Sequence, residues 1–420
     1  MKAFVVTIYF YLFLFLIVFS FYRNIDVFSP SKVYLVIFAT FFGEVFWKVQ
    51  VDLVINLIIF SLLIFSLLII LLESHVPIIN NGRGFSFDSR KIKKIVFKLW
   101  VCSAVPIIAQ LYLLSKFGGL ELFVSSIGGR VVEWQGLGPI ISLIKLLNIL
   151  NYIYFIIIVK SSPSRLNKVL FLSHFVIFIF VALLSGSRSN LLWNFVFMLV
   201  FYHYSVKNTN VVKASILFLL VLTLAMIIGV ARSGYSIEDG KLKSGVDLQE
   251  KVLNMSNFKY GLQPLHKILE FDEISNPQLG LTYLTAITNL VPRSIWPGKP
   301  DTGGVIITRD YFDDPFGGFS NYTTGLFPEA IINFGFVVGF IFAIVLISFM
   351  HILLLLSQRA MKKRDGYDLL VMQGVYPFLL FGIPSYIYAE FTTNTISMLL
   401  FKVGMFLLIF KFVTNKIKFN

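Results

Sequence analysis

The chain has 420 residues, of which 57% are hydrophobic and 14% charged, and its mean hydropathy is +0.82. A soluble domain carries about 25% charged residues, so this composition excludes a soluble enzyme, a coiled coil and a disordered protein. The net charge of +14 then reads as lysines and arginines at the cytoplasmic face of a membrane, not as a nucleic-acid footprint.

A membrane span needs about 20 mostly apolar residues, because the hydrocarbon core is about 30 Å thick. Eleven runs qualify: 3–22, 32–49, 51–72, 95–115, 138–159, 167–185, 190–206, 212–231, 325–356, 367–388 and 392–414. The expected fold class is an all-α polytopic membrane protein with about 11 (10–12) transmembrane helices and one large external loop. Helices are required because an open strand would leave backbone groups unpaired in lipid. The first run lacks a small-residue cleavage site after it and reads as a retained span. The run 32–49 is the weakest, since Glu44 and Lys48 interrupt it. The run 325–356 is over-long and must tilt or begin above the membrane plane.

The basic clusters set direction. Arg90, Lys91, Lys93, Lys94 and Lys98 form one cluster. Lys160, Arg165 and Lys168 form another, and Arg359, Lys362, Lys363 and Arg364 a third. With eleven spans these fall on one side, the cytoplasmic one. The C-terminus is then inside and the N-terminus outside. A re-entrant second run would move the N-terminus inside. The chain divides into an N-terminal bundle (1–231, about eight helices), an external loop with short helices (232–324) and about three C-terminal helices (325–420).

Residues 232–324 are the long hydrophilic stretch. Nine Lys/Arg against eleven Asp/Glu leave it at −2, so the remainder carries +16. That asymmetry puts the segment outside, and a loop of this length is usually functional. Apolar spacing predicts helix within 247–271 and a short helix over 280–291. Residues 292–321, rich in Gly, Pro and Asp, read as an ordered loop over the membrane surface.

Arg188, Arg232 and Arg293 stand at or near the outer boundary, against the positive-inside bias, and each has glycines nearby. Arg130 is a weaker fourth case. A guanidinium fork suits phosphate or carboxylate; arginines that merely snorkel to the interface are the alternative. Glu329 opens the ninth run. A carboxylate there serves as a general base, or as a helix cap or arginine partner. Glu44 and Glu390, at apolar runs, are functional candidates by default. Trp296, Asp301 and Tyr311 lie where a sugar could stack or bond, although the aromatic rings equally suit an interfacial belt. The acidic residues match no EF-hand loop and the five histidines no metal-ligand spacing. Neither a metal nor another cofactor is therefore expected. Neither a P-loop nor a nucleophile elbow occurs.

Two segments carry a resemblance. Val291-Pro292-Arg293-Ser294-Ile295-Trp296-Pro297-Gly298-Lys299-Pro300 is followed by Gly325-Leu326-Phe327-Pro328-Glu329-Ala330-Ile331-Ile332-Asn333-Phe334-Gly335. Together they resemble the signature region of the Wzy-type O-antigen and capsule oligosaccharide repeat-unit polymerases. Ser185-Gly186-Ser187-Arg188 is similar to an upstream Gly-x-Arg element of that family. The specific match covers about 190–335. The resemblance implies a GT-C-like, metal-independent glycosyltransferase in the bacterial inner (cytoplasmic) membrane. It would join undecaprenyl-diphosphate-linked oligosaccharides at the outer face. Arg188, Arg232, Arg293 and Lys299 would hold the diphosphate, with Glu329 and Arg293 catalytic. Trp296, Asp301 and Tyr311 would meet the glycan. Its partners would be the lipid bilayer, a chain-length regulator (polysaccharide co-polymerase) and the flippase, with no nucleic acid. A glycan ligase and a lipid-linked oligosaccharide flippase are the alternatives.

Overall fold

The computed structural model describes residues 2–48, 50, 52–73, 85–127, 133–134, 136–185, 188–217, 219–220, 223, 235–238, 241–244, 260–271, 274, 276–289, 291, 295–318, 322 and 324–414. In chain order the elements are α1 (Lys2–Arg23), α2 (Pro30–Phe42), a 3-10 turn (Gly43–Phe46), α3 (Leu53–Leu72), α4 (Ser89–Lys116), α5 (Leu120–Ser126), α6 (Gly138–Val159), α7 (Arg165–Leu184) and α8 (Arg188–Ser205). An antiparallel hairpin of β1 (Tyr235–Glu238) and β2 (Lys241–Ser244) follows. Then come α9 (Gln263–Leu269), α10 (Leu281–Thr288), α11 (Gly303–Tyr311), α12 (Leu326–Lys363), α13 (Gly366–Gly382), a 3-10 turn (Pro384–Ile387), α14 (Phe391–Thr395), a π-helix (Ile396–Gly404) and α15 (Met405–Thr414).

Among the described residues, eight helical stretches are long and apolar enough to cross a membrane. They are Val6–Arg23, Leu53–Leu72, Lys91–Lys116, Gly138–Val159, Arg165–Leu184, Leu326–Lys363, Gly366–Ile387 and Phe391–Thr414. The chain is a multi-pass helical membrane protein. Three expected runs fall elsewhere. The run 190–206 forms α8, whose apolar part Leu191–Ser205 is shorter than a full span. The run 212–231 lies mostly outside the described residues. The run 32–49 is not one spanning helix. Its helix α2 has 13 residues, a rise of about 20 Å, and gives way to the 3-10 turn at Gly43. Within and just past that turn, Glu44 and Lys48 pair with each other at 3.2 Å.

The chain forms two compact units, each built from separated segments. The first comprises residues 1–76, 256–362 and 378–400. In it α1, α2 and α3 pack together. The Asp52 carboxylate caps α3 by accepting from the amides of Val54 and Ile55. Tyr34 donates to the Leu62 carbonyl at 3.1 Å, and Tyr9 to Asn56 Oδ1 at 2.9 Å. Lys32 is buried. Its ammonium donates to the carbonyls of Ser20 and Asn24 and to Ser29 Oγ.

The second unit comprises residues 77–255, 363–377 and 401–420. Here a polar chain crosses four helices. Ser103 Oγ on α4 bonds His174 Nε2 on α7 at 2.8 Å. His174 Nδ1 bonds Asn151 Oδ1 on α6 at 3.1 Å. Asn151 donates to Asn194 on α8, and Asn194 donates back to the Asn148 carbonyl. Buried polar groups need such partners, so His174 is tied into the packing. Tyr152 donates to the Gly374 carbonyl at 3.0 Å, and Gln373 to that of Tyr204 at 2.9 Å.

Candidate functional site

Helix α12 has 38 residues, about 57 Å if straight and far longer than the hydrocarbon core. It is broken at Gly335, where φ is 76° and ψ 177°. A residue with a side chain rarely adopts that backbone. The break divides a short buried helix, which starts at Leu326, from the long spanning part. It accounts for the over-long ninth run. Carbonyls freed at a helix end need partners. Those of Ile332 and Asn333 accept from the amides of Gln278 and Leu279 at 3.0 and 3.1 Å. Asn333 Oδ1 accepts from the Gly280 amide at 2.9 Å. The segment before α10 is thereby fastened to the break.

The short helix carries Glu329, which is 0% exposed. Its Oε2 accepts from the Phe391 amide, the first residue of α14, at 2.8 Å. A helix N-terminus favours a carboxylate. The Thr282 hydroxyl lies alongside the same carboxylate, yet Oε1 completes no hydrogen bond. The wall opposite is Gly303, the first residue of α11. A Cβ there would stand 2.7 Å from Cγ, Cδ and Oε1 of Glu329. Thr302 caps α11, its hydroxyl accepting from Val305 N.

Glu390, one residue before Phe391, is also buried. Its Oε2 accepts from Thr393 Oγ1 at 2.7 Å, while Oε1 has no partner. The two carboxylates act on each other electrostatically. Hydroxyls surround them. Thr285 and Thr392 bond side chain to side chain at 2.7 Å, and the hydroxyl that does not donate to the other donates to the Thr282 carbonyl, which lies within reach of both. Asn333 donates to Thr282 Oγ1 at 2.7 Å and to the Glu329 carbonyl at 2.6 Å. The buried hydroxyls of Tyr283, Thr288 and Thr324 have no partner. Burial, and then the Glu329 charge, push the Tyr283 phenol upward, so it stays a donor. Orphaned buried polar atoms call for an explanation. Two open carboxylate oxygens, with the Tyr283 phenol near Glu329, fit a polyhydroxylated ligand that supplies the missing donors.

The other sequence-derived residues scatter. Arg232, Arg293 and the weaker Arg130 lie outside the described residues. Arg188 is the first residue of α8. Lys299 donates to the Val291 carbonyl at 2.9 Å. Asp301 pairs with Arg309 at 2.9 Å, and Arg309 also pairs with Asp310 at 2.7 Å. Trp296 is 44% exposed. The Tyr311 ring meets Phe271 edge-on at 5.1 Å. The stretch 292–321 is not all loop, because Gly303–Tyr311 is helical; the Thr302 cap and the apolar run Val305-Ile306-Ile307 explain it. The helix expected within 247–271 is described only as α9, and the one expected over 280–291 is α10. Among the described residues no group of three His, Cys, Asp or Glu could hold a metal ion.

Sequence reading missed the threonines and Gly303. A hydroxyl on an apolar helix carries no signal of its own, and only contact with Glu329 singles out Gly303. Comparison with family models, curated proteins and solved structures found no match.

Proposed function

We propose that this protein is a polymerase that joins undecaprenyl-diphosphate-linked oligosaccharide repeat units into O-antigen or capsular polysaccharide. The reaction takes place at the outer face of the bacterial cytoplasmic membrane, within a multi-span, GT-C-like fold. The observation that carries this reading is the buried Glu329 carboxylate with its open Oε1, set inside the very segment whose sequence resembles the polymerase signature. Glu329 accepts the proton of the attacking acceptor hydroxyl, or draws the arginines into place. Glu390 and the surrounding hydroxyls orient the sugar. Arg188, Arg232 and Arg293 stabilise the departing diphosphate by charge complementarity, so the donor needs no nucleotide-binding domain. The glycan runs past Trp296, Asp301 and Tyr311, and Lys299 lies at the same loop.

The test is an electrophoretic ladder of surface polysaccharide from a deletion strain and its complements. A polymerase deletion caps the anchor with a single repeat unit. Wild type restores the ladder, whereas Arg293→Ala and Glu329→Ala do not. Arg293→Lys restores it in part, because the bidentate fork is lost. Loss of all surface glycan, with lipid-linked units held at the inner leaflet, would establish a flippase instead. Full-length polymer left on its lipid carrier would establish a ligase.

A further inference from the structure

Phe312 and Tyr322 stack their rings at 4.8 Å and 14°. The pair follows α11, whose last residue, Tyr311, packs onto Phe271 instead. Tyr322 stays 44% exposed although Phe312 covers one face of its ring. The exposure therefore belongs to the other face and to the hydroxyl edge. Asp313, next to Phe312, is exposed and forms no ion pair or hydrogen bond among the described residues.

The rings are held in place by α11. The Tyr322 amide donates to the buried Thr308 hydroxyl of that helix at 3.0 Å. Between the rings the chain turns back through Asp313, Gly317 and Gly318, all with positive φ. Gly318 lies against α11, where a Cβ would collide with the Val305 carbonyl oxygen. Asp314 closes the turn by accepting from the Gly318 amide at 2.8 Å. Rings that are already ordered lose little freedom when a ligand arrives.

Exposed rings on a membrane protein commonly anchor it at the interface, in company with lysine and arginine. This segment has the opposite charge. Residues 300–318 carry four aspartates against one arginine, and that arginine, Arg309, is paired with Asp301 and Asp310. Anionic headgroups repel such a surface. A pyranose suits it. The C–H face of the sugar covers an aromatic face, and the rim hydroxyls donate to a carboxylate, which only accepts. Helix α11 also sets where that sugar lies. Gly303, its first residue, is the wall opposite Glu329, and the nine residues of the helix put Phe312 about 13 Å from that wall. A single sugar does not reach from the carboxylate to the rings, whereas a chain of sugars does.

We propose that Phe312, Tyr322 and Asp313 form a saccharide-binding subsite that grips a sugar of the glycan remote from the one at Glu329. The binding does not depend on the polymerase reading, but its consequence rests on it. A glycan held at a second point stays with the protein between additions, so the subsite sets how long the polymer grows.

The probe is lipid-free glycan, released by mild acid from the surface polysaccharide of the strain that carries the gene. It is titrated calorimetrically into the purified full-length protein in neutral detergent. Tyr322→Ala and Phe312→Ala are each expected to weaken binding about threefold to tenfold, the effect of losing an aromatic partner. Asp313→Asn, which keeps a residue tolerant of positive φ, should weaken it about threefold or more. Tyr322→Phe should stay within about threefold of wild type. Thermal unfolding in the same detergent shows that each variant is folded. In cells Tyr322→Ala should shorten the polysaccharide ladder without abolishing it, and a ladder of unchanged length would remove the control of length. Unchanged affinity in both alanine variants overturns the subsite, as does a wild type that binds no glycan. So does strong quenching, by brominated lipid in vesicles, of the fluorescence that Tyr322→Trp adds, because the ring would then lie in the bilayer. If the variants bind normally while Glu329→Ala still abolishes the ladder, this inference fails and the polymerase stands. If they bind weakly while deletion of the gene leaves the ladder intact, the subsite stands and the polymerase fails.

Discussion

Gly339 lies so close to the Ala330 carbonyl that a Cβ on residue 339 would stand 2.5 Å from that oxygen. The two residues flank the break at Gly335. The long part of α12 therefore packs directly against the short buried helix that carries Glu329. Backbone meets backbone, so neither side can yield by turning a side chain.

This separates two glycine substitutions by mechanism. At Gly335 a Cβ meets nothing within 4 Å, so Gly335→Ala suffers only from its positive φ. The cost is about 1–3 kcal/mol. Gly339→Ala must push two helical segments apart and should cost more. Thermal unfolding in detergent should rank the midpoints as wild type, then Gly335→Ala, then Gly339→Ala. The reverse order would disprove the packing described at residue 339.

Gly303→Ala should disturb the site before it disturbs the fold. Its Cβ would press on the Glu329 carboxylate, and overpacking of this kind costs about 1–3 kcal/mol. Gly298→Ala, whose Cβ has open space, is the matched control and should be silent. We expect Gly303→Ala to shorten or abolish the polysaccharide ladder at wild-type protein abundance. A normal ladder would show that the wall opposite Glu329 has no part in the reaction.

Glu329→Gln keeps the shape and still offers an oxygen to the Phe391 amide. Its unfolding midpoint should therefore stay within a few degrees of wild type, a difference of under about 1 kcal/mol. The ladder should vanish, because an amide cannot accept the proton. A folded Glu329→Gln protein with full polymer would reduce this residue to a helix-capping role.

His266 supplies a pH dependence. Burial lowers its pKa below the ordinary 6.5, and Lys48 adds to this; Glu44, Asp52 and Glu270 oppose it in part. Its Nε2 is buried without a partner. Below pH 6.5 the unfolded chain binds this proton while the folded chain still resists it, so stability falls as pH falls. Between about pH 7.5 and about pH 5.5 the wild-type midpoint should decline, and His266→Gln should flatten the decline. Equal slopes in the two proteins would rule out His266 as the source.

What was legible in the sequence was what depends on composition and on runs along the chain. Hydrocarbon demands apolar helices of a given length, so the spans at 53–72, 138–159 and 165–184 could be read directly. Glu329 was visible because a carboxylate at the start of an apolar run is conspicuous. Tertiary structure decided the rest. The over-long apolar run 325–356 does not announce that Gly335 will break it, since glycine also occurs inside straight membrane helices. The segment around Gln278 that receives the freed carbonyls is distant in sequence. Thr282 and Thr285 come from one stretch and Glu390 and Thr392 from another, and only folding brings both to the Glu329 region. Periodicity and charge are one-dimensional and survive in the sequence, whereas hydrogen-bond satisfaction and close backbone approach are three-dimensional and arise only when distant segments meet.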